Sequence, residues 1–243
     1  SPEREFEQAR LLADAAAAAE VPHVVWSTQE DTRRWAAPED ARWPTFDGRW
    51  NVPHMDAKGA ANELFRERGV PTTRLTAAFF WDDLARFGML PQRTLDGRLV
   101  LPLPMGDRAL PGIAASDIGP IACALLSRPE RWIGKAVGVA GAHLTGEAMA
   151  AAFARALREP VRHRSPDLDE LASRPLPGAR GIANMFRFHH DFCDELRALR
   201  PVDATRELHP ALLDFDGWLA QGGHDLARLQ LQRGAPHEAG LSA

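Results

Sequence analysis

The feature that most constrains this chain is an alternation. Short apolar runs rich in β-branched residues are separated by stretches of helical periodicity: HVVWS at 23–27, TTRLT at 72–76, LVLPLP at 99–104 and KAVGVAG at 135–141. Parallel strands cannot be joined by a tight turn and need a crossover, usually a helix. The alternation therefore predicts an α/β fold built on a parallel sheet with crossover helices. VRHR, 161–164, adds a short edge strand.

The helices between these runs have readable ends. Ser1, Pro2, Glu3 and Glu5 supply a cap, a first-position proline and first-turn acids. They predict a helix over 2–19 with Phe6, Ala9, Leu12, Ala13 and Ala16 on its packed face. A second helix carries His54 and Lys58 near its start and closes at Gly69. Ser116 and Asp117 read as capping residues for a helix through Leu126, Thr145 opens one over 146–157, and Asp214 opens a short one holding Phe215 and Trp218. The stretch 179–199 sets Ile182, Met185, Phe186, His189, Phe192 and Leu196 on one face. Residues 28–50 read as a long loop, and the composition loosens from Gly222 onward.

Composition removes several function classes. The formal charge of −4 is small and mixed in sign, with no basic stripe, which argues against a nucleic-acid partner. No run approaches the roughly 20 apolar residues of a membrane span. Two distant cysteines, Cys123 and Cys193, form neither a disulfide framework nor a metal spacing, which suits a reducing cytoplasm. His189 and His190 have no second ligand cluster near them in sequence, so no metal site is expected.

In open parallel sheets ligands bind beyond the carboxyl ends of the strands. The residues to inspect therefore follow HVVWS and TTRLT. Ser27 and Thr28 end the first run and offer hydroxyls, either for a substrate carbonyl or for a plain strand-end turn. His54 and Lys58 are four apart and share one helix face. That lysine suits ribose hydroxyls and would lower the pKa of a neighbouring acid, although a solvated polar face has the same spacing. Phe79, Phe80 and Trp81 follow the second run, where aromatic rings either wall a ligand or fill a core. Asp82 and Asp83 start the next short helix.

Taken together, VPHVVWSTQED, HMDAKG, the GVPTT strand with its FFWDDL loop, LPGIAASDIG and GVAGAHLTGEAM resemble the NmrA-like family, in that order, over roughly residues 3–220. These are atypical members of the short-chain dehydrogenase/reductase superfamily. The resemblance implies a Rossmann-like parallel sheet over 1–141, forming the C-terminal part of an NAD(P)-binding domain. It further implies a smaller, mostly helical substrate-side region over 142–221, with 222–243 as a disordered tail. Classical superfamily members use a serine, a tyrosine and a lysine. Ser27 or Thr28 matches the serine, Lys58 the lysine and His54 the tyrosine, and the chain has no tyrosine at all. By the same resemblance Lys58 holds the nicotinamide ribose, while Phe80, Trp81, Asp82 and Asp83 line the nicotinamide pocket.

The implied function is that of a redox-state sensor or a modest NAD(P)H-dependent reductase of quinone-type acceptors. The alternatives are a protein-interaction module regulated by dinucleotide, and a form that binds no ligand. Three departures from the family pattern bear on this. Thr76-Ala77 stand where the family usually has Arg-Pro, Asp83 stands where it has Asn, and the 32–50 loop is longer than in some relatives. The family's Gly-rich phosphate-binding turn and 2′-phosphate-selecting segment would precede residue 1, in roughly 80–90 further residues by the size of the crossover units involved. The expected affinity of these 243 residues for NADP or NAD is accordingly weak or absent.

Overall fold

The computed structural model describes residues 1–36, 40, 42–175 and 178–233, with 224, 229, 230, 232 and 233 described by backbone alone. Among the described residues there are nine strands: β1 (Val24–Thr28), β2 (Thr72–Ala77), β3 (Phe79–Phe80), β4 (Gln92–Arg93), β5 (Leu99–Pro102), β6 (Leu110–Ile113), β7 (Ala136–Val139), β8 (Ala142–Leu144) and β9 (Val161–Arg164). The main sheet runs β1-β2-β7, and both pairings are parallel. The α/β fold with a parallel sheet and crossover helices is what the alternation predicted.

Period-two alternation sends neighbouring residues of β1 to opposite layers. Val24 and Trp26 pack with Phe6, Ala9, Ala13, Leu64 and Phe65, beneath helices Pro2–Ala18 and Asn62–Glu67. Val25 turns the other way and joins Leu75, Val137 and Val139 against Ile121 and Leu125 of helix Ile118–Leu126. Helices thus cover both faces, as parallel sheets require. Among the described residues β1 has β2 as its single sheet neighbour.

Two smaller sheets hold the rest together. β3 pairs in parallel with β6, which runs antiparallel to β8. β5 pairs antiparallel with β4 and in parallel with β9. Both sheets therefore reach across the boundary expected at residue 141. They back the largest core, which gathers Trp81, Phe153, Phe186, Phe215 and Trp218.

Several local expectations need correction. Leu12 is 58% exposed, because the packed stripe of the first helix runs through Ala9 and Ala13, where small side chains allow close approach. The helix closing at Gly69 is two helices, Pro53–Ala60 and Asn62–Glu67, and the 179–199 stretch is Ala179–Asp191 and Cys193–Ala198 with a break at Phe192. Ser116 and Asp117 lie in a 3-10 turn, and Asp117 is the N-cap residue of helix Ile118–Leu126 but gives it no side-chain hydrogen bond; its carboxylate accepts instead from the Leu213 amide and pairs with His209, both at 3.2 Å. The segment from Gly222 is not loose throughout, since helix His224–Arg233 follows it and buries Ala227; residues 234–243 lie outside the described residues. Thr145 and Asp214 do cap their helices, accepting from the amides of Ala148 and Gly217.

Candidate functional site

Helix Pro53–Ala60 carries the site and owes its place to residues that face away from it. Its N-cap, Val52, has no side chain able to satisfy the first amides. Asp56 instead reaches back to the residues that enter the helix, accepting from the amides of Asn51 at 2.8 Å and Val52 at 2.9 Å. Its other oxygen accepts from the Thr32 amide at 2.8 Å and the Thr32 hydroxyl at 2.6 Å. Asp56 is fully buried; burial raises its pKa, and the four donors oppose that rise. Gly59 completes the docking, since a Cβ there would lie 2.5 Å from the Asp31 amide nitrogen. The 29–36 segment is thereby clamped to one face of the helix, leaving His54 and Lys58 on another.

Lys58 meets the end of β1 directly. The Thr28 hydroxyl donates to the Lys58 carbonyl at 3.2 Å and to the Gln29 carbonyl at 3.3 Å, so this hydroxyl is engaged with backbone. Ser27 is exposed, and its side chain takes no hydrogen bond among the described residues. The Lys58 ammonium lies 3.7 Å from Glu5 on the first helix, with both side chains about one-third exposed. Such a pair is worth about 0–1 kcal/mol and exchanges readily for another partner.

His54 is exposed on the surface of the helix. Its pKa is pushed down to about 4, first by burial and then by Lys58, His189 and Arg86. Water at the exposed edge opposes part of that drop, and the ring is neutral at pH 7 in either case. Asp83 sits within the same field, 3.9 Å from Arg86; burial raises its carboxyl, Asp82 adds to the rise, and Arg86 opposes it.

The aromatic loop divides. Trp81 is fully buried, edge-on to Phe215 at 5.2 Å, and a Cβ on Gly112 would fall 2.0 Å from its indole nitrogen. It therefore belongs to the core and offers no face to a ligand. Phe80 is half-buried against the Leu75 and Ile113 cluster. Asp82 is committed to structure, accepting from the Ala115 amide at 2.9 Å and the Trp218 indole at 3.3 Å. Of the sequence candidates, Thr28, His54 and Lys58 are brought together at the end of β1 by helix Pro53–Ala60, and Asp83 is linked to them only through Arg86.

The C-terminal helices contribute residues that sequence reasoning passed over. Asn184 donates to the carbonyls of Asn51 at 2.7 Å and Pro44 at 3.1 Å, tying helix Ala179–Asp191 to the segment that leads into His54. His189 lies on the same helix, within electrostatic reach of His54. Glu30, two residues beyond β1, holds Arg200 through contacts of 2.6 and 2.9 Å, with side chains only 10% and 4% exposed. Nothing local marks this pair, because its partners stand 170 residues apart. The acid in HMDAKG was a possible signal for Asp56, since a carboxylate four residues after an uncapped helix start can reach back to it.

Among the described residues no helix is long and apolar enough to cross a membrane, and no group of three or more His, Cys, Asp or Glu is placed to hold a metal ion.

The sequence matches the family described as NmrA-like over residues 1–219. Solved structures share its fold at low identity. A negative transcriptional regulator in complex with NADP superposes with TM-score 0.68 at 19% identity, covering 96% of this chain and 72% of that one. Triphenylmethane reductase from Citrobacter sp., complexed with NADP(H), gives 0.63 at 18%, covering 89% and 70%. An NADPH-dependent quinone oxidoreductase from Escherichia coli gives 0.61 at 16%, covering 88% and 72%.

Proposed function

The chain belongs to the NmrA-like family, and from that premise we propose that its strand-end site receives the nicotinamide end of NADP or NAD. In this reading the protein responds to redox state and reduces quinone-type acceptors slowly. The observation that carries it is the placement of Lys58. Its helix is pinned to the carboxyl end of β1, and its ammonium has only a weak surface partner in Glu5. A cation so placed donates to two ribose hydroxyls without first breaking a strong contact.

A bound nicotinamide would supply the hydride; the protein's part is positioning and charge. Lys58 holds the ribose, and Asp83 places a carboxyl where it favours the oxidised, cationic ring. His54 stands where the superfamily has its tyrosine. A neutral imidazole of pKa about 4 donates one N–H to a carbonyl but delivers a proton poorly at pH 7. Quinone-type acceptors suit such a site, because they can take their proton from water. The same weakness supports a second reading, a non-catalytic interaction module regulated by dinucleotide.

The fit is uneven along the cofactor. Lys58, His54 and Asp83 suit the nicotinamide half, whereas no G-x-x-G-x-x-G occurs in the 243 residues to cradle the pyrophosphate. The proposed affinity of this chain for NADPH is therefore weaker than low micromolar. Calorimetric titration with NADPH, followed by anaerobic quinone reduction at saturating NADPH, tests both parts. Weak saturable binding with slow turnover supports the reductase, and binding without turnover supports the interaction module. No binding at millimolar NADPH defeats both.

A further inference from the structure

A cavity of about 370 Å³ lies beside β7, the strand at the other end of the order β1-β2-β7. Gly138 brings two of its walls together. A Cβ there would fall 2.1 Å from the Leu199 carbonyl oxygen, so glycine is what lets the 198–201 segment rest against the strand. Trp132, Val137 and Leu208 line the cavity and also pack on the core cluster around Leu75 and Ile121. Leu199, on the same lining, is 52% exposed, which is apolar surface available to a ligand. A concave, mostly apolar space of this size with a few charged groups has the usual form of a small-molecule site.

The charge on the lining is cationic. Arg128, Arg131 and Glu207 supply it, so two cations and one acid leave one net positive charge. Neither arginine has a carboxylate partner among the described residues, which puts Glu207 outside ion-pair reach of both. Arg131 is stacked instead, its guanidinium 4.6 Å from the centroid of the Trp132 ring. Stacking engages the flat face of a guanidinium and leaves its in-plane N–H groups free, and a carboxylate takes those through two parallel bonds. The Trp132 indole N–H is buried and donates to nothing among the described residues, an unmade bond of a kind that folds seldom leave.

We propose that this cavity binds a small organic monocarboxylate with an apolar body, an alkanoate or arylalkanoate. Arg128 and Arg131 hold the carboxylate, and Val137, Leu199 and Leu208 cover the body. One net positive charge matches one carboxylate, and Glu207 disfavours a second. The site stands apart from the nicotinamide reading, since its lining takes no residue from helix Pro53–Ala60 or from β1.

The test titrates the 15N-labelled chain at neutral pH with octanoate, octanamide and acetate. It follows the indole N–H resonance of Trp132, assigned by its loss in Trp132→Phe. Octanoate should move that resonance saturably at millimolar concentration. Octanamide keeps the chain without the charge, and acetate keeps the charge without the chain; each should bind at least about tenfold more weakly. Arg128→Gln and Arg131→Gln, both at exposed positions, should each weaken octanoate by about tenfold or more and leave octanamide unchanged. If either variant fails to fold, the three wild-type titrations decide. Equal affinity for octanoate and octanamide, absence of a saturable shift, or wild-type octanoate affinity with both arginines replaced overturns the proposal.

Discussion

Breaking the Glu30–Arg200 pair should be among the most damaging single changes in the fold. Both side chains are at least nine-tenths buried, and two contacts of 2.6 and 2.9 Å join them. Arg200→Met leaves the Glu30 carboxylate buried with its cation gone. Removing one partner of such a pair costs about 3–5 kcal/mol, while replacing both with apolar side chains is often neutral. Against a total stability of about 5–15 kcal/mol, that is a large fraction. Arg200→Met and Glu30→Leu should therefore each lower the urea midpoint sharply, and the double variant should recover most of the loss. Coupling energies from the four unfolding curves, at pH 7 and with and without 0.5 M salt, measure this directly. A buried pair is poorly screened, so the coupling should survive the salt. A single-variant cost under about 1 kcal/mol, or a coupling that vanishes in salt, would show that water reaches the pair and refute the reasoning.

Four further outcomes are expected. Lys58→Ala should weaken NADPH binding by about 1.5–3 kcal/mol for each charge-assisted hydrogen bond lost, read by fluorescence titration, while leaving the melting temperature nearly unchanged. His54→Ala should leave NADPH affinity almost intact and slow quinone reduction by less than about 100-fold. A thousandfold loss, with wild-type turnover rising as pH falls through 6–7, would instead make His54 the proton donor. Asp56→Asn sets an amide NH2 against donors that now meet a carboxylate, and should cost about 1–3 kcal/mol in chemical denaturation. Finally, burial lowers the pKa of His54, His143 and His189. Their stability contribution is complete above the unfolded value near 6.5 and is lost as pH falls through the lower folded values. Melting temperature should then drop on acidification below about pH 6.5, and less so in His189→Phe.

Strands β1, β2, β5, β7 and β9 and several helix starts were legible because their causes are local, whereas β3, β4, β6 and β8 were not read as strands. A five-residue β-branched run, a serine followed by proline, or an aspartate before an aromatic turn acts within a few residues. What escaped has distant causes. No local signal marks the breaks at Ala61 and Phe192. The interior place of Trp81 follows from Gly112 and Phe215, 31 and 134 residues away by number. His54 and Lys58 were visible as an i, i+4 pair, whereas Asn184 meets Asn51, and Arg200 meets Glu30, only once the chain has folded back.

The place of β1 at the end of the strand order among the described residues bears on how firmly the site is held in time. Val24 turns its amide to the Pro71 carbonyl at 2.8 Å, and in a parallel ladder Trp26 and Thr28 follow suit while Val25 and Ser27 point outward. The amides of Val25 and Ser27 should therefore exchange with deuterium within ordinary local fluctuations, and those of Trp26 and Thr28 only when β1 detaches from β2. Thr28 also grips the Lys58 carbonyl. The lysine's backbone anchor is thus only as long-lived as the outermost strand, and the slowest-exchanging amide of β1 clocks how often that anchor lets go.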